Sequence, residues 1–249
     1  MLDSYALLVV VAVLAGSLAS VTGFGIGSLL TPLLALQVDT GVAVAAVSVP
    51  HAVGTALRFW LISGSLDRRV FWSFGLTSAA GGLTGALLHG WASSQGLSVL
   101  LGTLLLFVAA SQATGLARRM RFHGAVAWLA GAASGLLGGM VGNQGGIRSA
   151  ALVGFHLPAR SFVATATAVG LLVDAARVPV YVATRGDEMA AVAPWMALAA
   201  LGVTIGTLLG SRTLDWIPDA WFGRLVAVVL AVLGVTMLLQ GLAADTRTR

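Results

Sequence analysis

A glycine-rich interruption occurs twice in this chain, each time inside a long apolar stretch. Residues 16–27 read GSLASVTGFGIG, and residues 135–146, which lie 119 positions later, read GLLGGMVGNQGG. Irregular backbone is tolerated in a membrane only where protein buries it or where it lines a cavity, and paired interruptions indicate a substrate site. A helix that restarts after such a break presents unpaired N–H groups and a positive dipole end, which favour an anion. The predicted binding amides are those of Gly25, Ile26, Gly27, Ser28, Gly145 and Gly146.

Polar side chains beside the breaks add further hydrogen-bond donors. Asn143 and Gln144 lie inside the second break, and Arg148 follows it at a depth where an ionisable residue is a functional candidate by default. We predict that these side chains, with that of Ser28, bind an anion together with the amides. Two alternatives stay open: the glycines serve close helix packing without a ligand, and Arg148 extends towards the lipid headgroups.

Four ionisable residues of the second and sixth apolar stretches form a second candidate set. Arg58 and Arg177 are 119 residues apart, like the breaks, and each is predicted about two turns from the cytoplasmic end of its helix. His51 precedes Arg58 by seven residues, and Asp174 precedes Arg177 by three, which permits an ion pair. We predict that the four line the transport pathway or couple it to protons; the alternative is a structural ion pair and a neutral histidine. With Arg148 the set sums to a charge of +2, which suits an anion and repels a cation.

The composition is that of a membrane protein. Apolar residues make up 58% of the 249 and charged residues 9%, whereas soluble domains carry about 25% charged residues. A spanning helix needs about 20 apolar residues, so the length accommodates about eight spans and no soluble domain. The absence of cysteine excludes disulfides and thiolate sites. The sequence contains no motif of a hydrolase, metalloprotease or nucleotide-binding enzyme, so we predict no enzyme activity, no cofactor and no metal site. The arginines occur singly or in short runs between apolar stretches and form no basic face, so we predict no nucleic-acid partner.

The apolar stretches predict spans whose first and fifth members are long and broken at the glycines. They cover residues 5–36, 41–63, 70–90, 97–116, 124–156, 161–183, 190–211 and 220–241. Pro32 is predicted at the start of the second half-helix of the first span. If every span crosses the membrane, most arginines of the connections fall on one side, which the positive-inside rule makes cytoplasmic. The count favours broken spans that cross in line over re-entrant hairpins, and it places both termini in the cytoplasm.

The doubled break divides this single membrane domain into two four-helix repeats, residues 1–120 and 121–249. An even number of crossings gives the repeats the same orientation, related by a pseudo-two-fold axis along the membrane normal. Gly81 and Gly85 are matched with Gly202 and Gly206 as small residues that let helices approach closely.

Three segments carry a resemblance to a known family. The first break reads GFGIGSLLTPLL from Gly23 onwards, the second reads GLLGGMVGNQGGIRSAAL, and the sixth stretch contains ATATAVGLLVDAARVPVY. Together they resemble the sulfite exporter TauE/SafE family over essentially the whole chain, with departures at Asn143, Gln144 and Ala151. The resemblance implies transport of small sulfur-containing anions such as sulfite or organosulfonates, usually outward across the bacterial cytoplasmic membrane.

The sequence therefore predicts an eight-span, all-α secondary transporter that holds a small anion at mid-membrane and rocks one repeat against the other. A proton-coupled carrier and a uniporter fit equally well. The predicted partners are membrane lipid and a small inorganic or organic anion, and self-association is left open. The alternatives are a cation or transition-metal permease, which would need clustered His, Met or carboxylate ligands, and a non-transporting membrane protein, either a partner protein or an intramembrane hydrolase.

Overall fold

The described part of the chain is almost entirely helical. The computed structural model describes residues 2–116, 124–143, 145–153, 155–213 and 219–245. In chain order the helices are α1 Leu2–Thr22, α2 Ile26–Ala35, α3 Thr40–Ile62, α4 Arg68–His89, α5 Ser94–Thr114, α6 Ala125–Val141, α7 Gly145–Val153, α8 Ala159–Ala191, α9 Ala193–Thr213 and α10 Asp219–Asp245.

Side-chain caps and glycines set the ends of several helices. Asp39, Asp67 and Ser93 precede α3, α4 and α5, and each accepts a hydrogen bond from a backbone N–H two or three residues further on. Such caps satisfy N–H groups that have no partner within the helix. The helix α5 ends at Gly115, whose φ of 65° is left-handed, as is common after a helix.

Within the described residues, five helical segments are long and apolar enough to cross a membrane. They are Ser4–Thr22, Thr40–Ser65, Ser94–Ser111, Arg160–Ala191 and Ala193–Ser211, and shorter apolar helices cover Ile26–Ala35, Ala125–Val141 and Ala227–Ala243. The prediction of an all-α, multi-pass membrane protein is confirmed at this level.

Both long apolar stretches are interrupted at the predicted glycines. Gly23 and Gly142 have φ values of 79° and 72°, and Gly25 has 131°, which glycine adopts without steric cost. The first break is also closed by Thr22, whose Oγ1 donates to the carbonyl of Phe24 at 2.8 Å. Pro32 is the seventh residue of α2, so its predicted place at the start of that helix is wrong.

The first broken segment folds back as a hairpin. We call the end of the bundle where Tyr5 and Asp39 lie face I and the opposite end face II. The helix α1 leaves face I beside α9, where the rings of Tyr5 and Trp195 are 4.7 Å apart. The helix α2 then returns antiparallel to α3, because Ile26 packs on Gly54 and the cap at Asp39 follows directly after α2. We call α1 and α2 hairpin 1.

The second broken segment, α6 and α7, returns to face II and is called hairpin 2. The helix α6 runs parallel to α4, since Gly81 packs on Ala132 and Gly85 on Leu136. Phe74, near the face II end of α4, contacts both arms: a Cβ at Gly131 would lie 3.1 Å from it, and its ring is 6.3 Å from that of Phe155. The prediction of in-line crossings is therefore wrong. A hairpin and an in-line helix need an apolar stretch of the same length, so the length of the stretch did not distinguish the two arrangements.

The helices α3 and α8, which correspond at the 119-residue shift, cross antiparallel. Arg58 bonds Thr167 near face II, His51 lies against Asp174 in the middle, and Gly41 packs on Arg185 at face I. Corresponding helices that run in opposite directions cannot be related by an axis along the membrane normal. The predicted equal orientation of the two halves is wrong, because each half contributes a hairpin and three further helices.

Glycine rows lock each hairpin onto a helix of the other half. A Cβ at Gly206 would lie 2.0 Å from the carbonyl oxygen of Val13, and one at Gly81 would lie 2.2 Å from that of Ala132. Since Val13 and Ala132 are 119 residues apart, the packing equates Gly81 with Gly206. The predicted match of Gly81 with Gly202 is one helical turn out of register. The remaining helices, α5 and α10, pack antiparallel through Gly102 and Gly234.

Cysteine labelling tests the hairpin topology directly, because the chain has no native cysteine. Ser63→Cys and Arg160→Cys lie on face II, and Trp91→Cys and Asp187→Cys lie on face I; all four side chains are exposed. We expect a membrane-impermeant maleimide to label both members of each pair from the same side of sealed vesicles. Labelling of Ser63→Cys and Arg160→Cys from opposite sides would restore the in-line arrangement.

Candidate functional site

The tips of the two hairpins touch in the middle of the bundle. A Cβ at Gly27, at the start of α2, would lie 2.2 Å from the carbonyl oxygen of Gly142 in the second break. Reciprocally, a Cβ at Gly145 would lie 2.2 Å from the Cβ of Phe24 in the first break. Only glycine allows this approach, so the first turns of α2 and α7 face the same small space.

A cavity lies between these tips. Its lining is formed by Phe24, Gly25, Gly27, Ser28, His51, Gly142, Asn143, Gly145 and Arg148. The volume open to the centre of a water molecule is about 10 Å³, which is room for about one water. This space is too small for an ion of several heavy atoms.

Arg148 lies fully inside the protein. It is 1% exposed, and its Nη2 donates to the carbonyl of Gly23 in the opposite break at 3.3 Å. The guanidinium fits against the backbone of Gly170, where a Cβ would lie 2.9 Å from Nη1. Its Nε and Nη1 have no hydrogen-bond acceptor among the described residues. Extension of Arg148 to the headgroups is thus wrong, and two buried donors of a cation are left unpaired.

Asn143 adds a third unpaired donor to the cavity. Its Oδ1 accepts a hydrogen bond from Ser28 Oγ at 2.9 Å, which fixes the amide across the two hairpins. Its Nδ2 is buried and has no acceptor within the described residues. At the start of α2 the cap residue Gly25 supplies no side-chain bond, and the first N–H groups of a helix lack partners within it. Donors therefore converge on this cavity from both hairpins.

His51, Asp174 and Arg177 form a chain of contacts beside the cavity. The Nδ1 of His51 lies 2.6 Å from Asp174 Oδ2, and Arg177 contacts Asp174 Oδ1 through Nε at 2.9 Å and Nη2 at 2.8 Å. Of the three, His51 lines the cavity, and Asp174 and Arg177 lie behind it. The predicted Asp174–Arg177 ion pair is present.

Arg177 also helps to close the end of α6. Its Nη1 donates to the carbonyl of Gly138, Tyr181 Oη donates to that of Gly139, and His89 Nδ1 lies 2.8 Å from that of Met140. The last carbonyls of a helix have no partner within it and attract positive charge. These three side chains hold the second break in place from α8 and α4.

Arg58 lies on the other side of the cavity from Arg177. It is 3% exposed, so it does not reach the headgroups, and its Nε donates to Thr167 Oγ1 at 2.8 Å. Its Nη1 has no acceptor in the part of the chain that the structure describes. Because α3 and α8 are antiparallel, Arg58 lies towards face II and Arg177 towards face I. The prediction that both lie near the same membrane side is wrong.

The structure brings together most of the predicted binding residues. Gly25, Gly27, Ser28, Asn143, Gly145 and Arg148 line the cavity. Ile26 directs its side chain away, against Gly54, and Gly146 lies in the first turn of α7. Gln144 lies outside the described residues. Sequence reasoning missed Phe24 and Gly142 as lining residues. Gly142 corresponds to Gly23 at the 119-residue shift, and this correspondence was a signal that could have identified it.

Protein-family models supply an independent comparison. The model described as Sulfite exporter TauE/SafE matches residues 8–237, nearly the whole chain. This chain belongs to the sulfite exporter TauE/SafE family. The resemblance predicted from the break motifs is confirmed, and the protein is a multi-pass membrane protein of a transporter family. No curated protein and no solved structure matches the chain significantly.

The contact of Gly27 with Gly142 should be sensitive to a single methyl group. Gly27→Ala places a Cβ 2.2 Å from a backbone oxygen, and such overpacking costs about 1–3 kcal/mol. We expect a lower melting temperature in detergent and loss of most anion flux in proteoliposomes. Gly64→Ala, where no atom lies within 4 Å of the new Cβ, is the control. Wild-type flux and melting in Gly27→Ala would show that the tips do not need this contact.

Proposed function

We propose that this TauE/SafE protein transports a small sulfur oxyanion of the sulfite class across the bacterial cytoplasmic membrane. The ion is held between the hairpin tips by Arg148, Asn143 and the first amides of α2 and α7. The observation that carries this proposal is the set of buried donors without acceptors, Arg148 Nε and Nη1 and Asn143 Nδ2. Leaving such donors unpaired is costly, and an oxyanion offers several acceptors at one point.

The charge of the site favours an anion over a cation. Arg177 and His51 share Asp174, while no ion pair of Arg58 or Arg148 is present among the described residues. Desolvating a cation costs several kcal/mol unless a counter-charge is near. An oxyanion in the cavity supplies that charge to Arg148. A metal cation would meet the same uncompensated arginines and be repelled.

The size of the cavity favours a compact ion. With room for about one water molecule, the site needs only a modest separation of the tips to accept a three-oxygen head such as sulfite or the head of a small sulfonate. A bulky organic chain would have to extend between the hairpins, where Phe24 and the glycine contacts leave little space.

We propose that the two halves of the chain form an inverted repeat whose moving bodies are mixed. Hairpin 1 and α3 pack with α9 of the second half, and hairpin 2 and α8 pack with α4 of the first half. The cavity lies between these two bodies. Alternating access then comes from movement of one mixed body against the other about the α3–α8 crossing, and not from rocking residues 1–120 against 121–249.

One disulfide separates these two modes of movement. Gly82 on α4 and Val173 on α8 come from different halves but the same mixed body, and a Cβ at Gly82 would lie 3.6 Å from that of Val173, a suitable disulfide spacing. We expect oxidised Gly82→Cys/Val173→Cys protein to transport as fast as the reduced protein. If the halves rocked as units, α4 and α8 would separate, and oxidation would stop transport reversibly.

Orientation follows from the arginines of the described faces. Face II carries Arg68, Arg69 and Arg160 with Asp67. Face I carries Arg185 with Asp39, Asp187 and Glu188. We propose that face II is cytoplasmic, so that α1 begins and α10 ends on the outer side, opposite to the sequence-based expectation. The cysteines on face II should then react only in inside-out vesicles.

Transport in proteoliposomes tests the function and the role of Arg148 together. Sulfite, thiosulfate, sulfate, methanesulfonate and acetate are offered separately, and we expect uptake of the small sulfur oxyanions. A hydrogen bond to a charged group contributes about 1.5–3 kcal/mol, so Arg148→Gln should weaken apparent affinity by about 10- to 150-fold. Arg160→Gln, which removes an exposed arginine of face II, should leave it unchanged.

Two outcomes would contradict this assignment. Uptake of none of the five anions by a folded protein would refute anion transport, and equal affinity of Arg148→Gln and wild type would remove Arg148 from the binding site. Thermal melting in detergent separates either result from misfolding.

A further inference from the structure

A titratable group lies on the wall of the proposed anion site and contacts a buried carboxylate. We propose that His51 binds a proton together with the transported anion, so that the protein carries the two as a pair. This inference rests on the proposed function. His51 lines the cavity, and its Nδ1 lies 2.6 Å from Asp174 Oδ2.

The hydrogen bonds fix which ring nitrogen is free to take up the proton. An ionised carboxylate only accepts hydrogen bonds, and Arg177 holds Asp174 from the other side. The Nδ1–H of a neutral His51 therefore donates to Asp174, and the lone pair is on Nε2. Protonation of Nε2 leaves the Asp174 bond intact and changes the charge of the cavity wall from neutral to positive.

The groups around His51 determine when it can be charged. Asp174 and Arg177 face His51 from α8, and Arg148 faces it from α7. Asn143 of the second break and Gly27 of α2 lie on the same cavity. Thr55 and Arg58 follow His51 on α3. Against the single carboxylate stand three arginines, so a charged His51 in the empty cavity adds a further unbalanced cation. An anion beside Arg148 removes that penalty.

Binding of the two ions is therefore mutually favourable. An anion in the cavity stabilises the protonated ring, and by linkage the protonated ring strengthens anion binding by the same factor. Coupling between sites is typically about 5- to 150-fold, and here both ions occupy one cavity. The two then move together when the mixed bodies change their relative position.

The helix crossing itself does not require an ionisable pair at this place. At the 119-residue shift His51 corresponds to Gly170 and Asp174 to Thr55. The same crossing thus contains one His–Asp contact and one Gly–Thr position related to it by the repeat. Gly170 makes room for the guanidinium of Arg148. Because the two halves differ at this position, His51 and Arg148 lie on the same cavity.

Proton-driven accumulation provides the test. Wild-type protein is reconstituted in vesicles whose membrane potential is clamped with potassium and valinomycin, and a gradient of one pH unit, acid outside, is imposed. The probe is radiolabelled methanesulfonate, which stays ionised at neutral pH and so carries no proton of its own. At one proton per anion the gradient should drive accumulation up to about tenfold, since one pH unit is a tenfold ratio, with acidification of the lumen.

Variants separate coupling from transport. We expect His51→Gln and Asp174→Asn to lose gradient-driven accumulation. Exchange of internal for external methanesulfonate should continue with a weaker apparent affinity, since exchange needs no net proton movement but the charged ring no longer assists binding. His156→Asn, which changes an exposed histidine and suits its positive φ, should accumulate like wild type.

Each result decides between the claims. Wild-type exchange without any response to the gradient, or undiminished accumulation in His51→Gln, would overturn proton coupling and leave anion transport standing. If methanesulfonate is not exchanged, heats of sulfite binding in two buffers of different protonation enthalpy give the protons taken up per anion, and no His51-dependent uptake would overturn the proposal. Absence of any anion binding or transport would instead refute the proposed function.

Discussion

The fold depends on hiding two stretches of irregular backbone from lipid. Unpaired peptide groups in the hydrocarbon region cost several kcal/mol each, so neither break can stand alone. The tips of the two hairpins pack against each other, with the α-carbon of Gly27 on the carbonyl of Gly142. This single contact shields the backbone of both breaks from lipid. The same contact brings the first amides of α2 and α7 to one cavity, and Arg148 reaches across it to the carbonyl of Gly23. The solution to a solvation problem is thus also an arrangement that suits an anion.

Holding the tips together requires support from helices that are distant in sequence. Glycine rows let α9 lie directly on α1 and α4 directly on α6, with carbonyl oxygens where a side chain would otherwise begin. The end of α6 is closed by Arg177, Tyr181 and His89, whereas α1 ends with the local bond of Thr22. Because each hairpin packs on a helix of the other half, neither half encloses its own break. The packing therefore interlocks the two halves of the chain.

The sequence revealed what local chemistry dictates. The breaks were predictable because only glycine adopts the left-handed backbone of Gly23 and Gly142 at no steric cost, and the depth of Arg148 followed from its place after a break. The hairpin course was not predictable, because one apolar stretch of about thirty residues fits a kinked crossing as well as a hairpin. The arginine count then favoured the wrong topology, because Arg160 and Arg185 lie on opposite faces in the in-line and the hairpin arrangements. The residue of the second half that corresponds to Gly81 could not be identified without knowing which helix Gly81 contacts.

The site departs from the repeat at the residues that carry charge. At the shift that superposes the breaks, Arg148 corresponds to Leu29, His51 to Gly170 and Asp174 to Thr55, whereas Arg58 and Arg177 correspond to each other. A strictly symmetric inverted repeat would have identical energies when open to either side. Here the unpaired cation, Arg148, comes from hairpin 2 and His51 comes from α3, so in the mechanism proposed above the distance between them would change. In that proposed mechanism the two open states would differ in electrostatic energy, and these few sequence differences between the halves would set the preference between them.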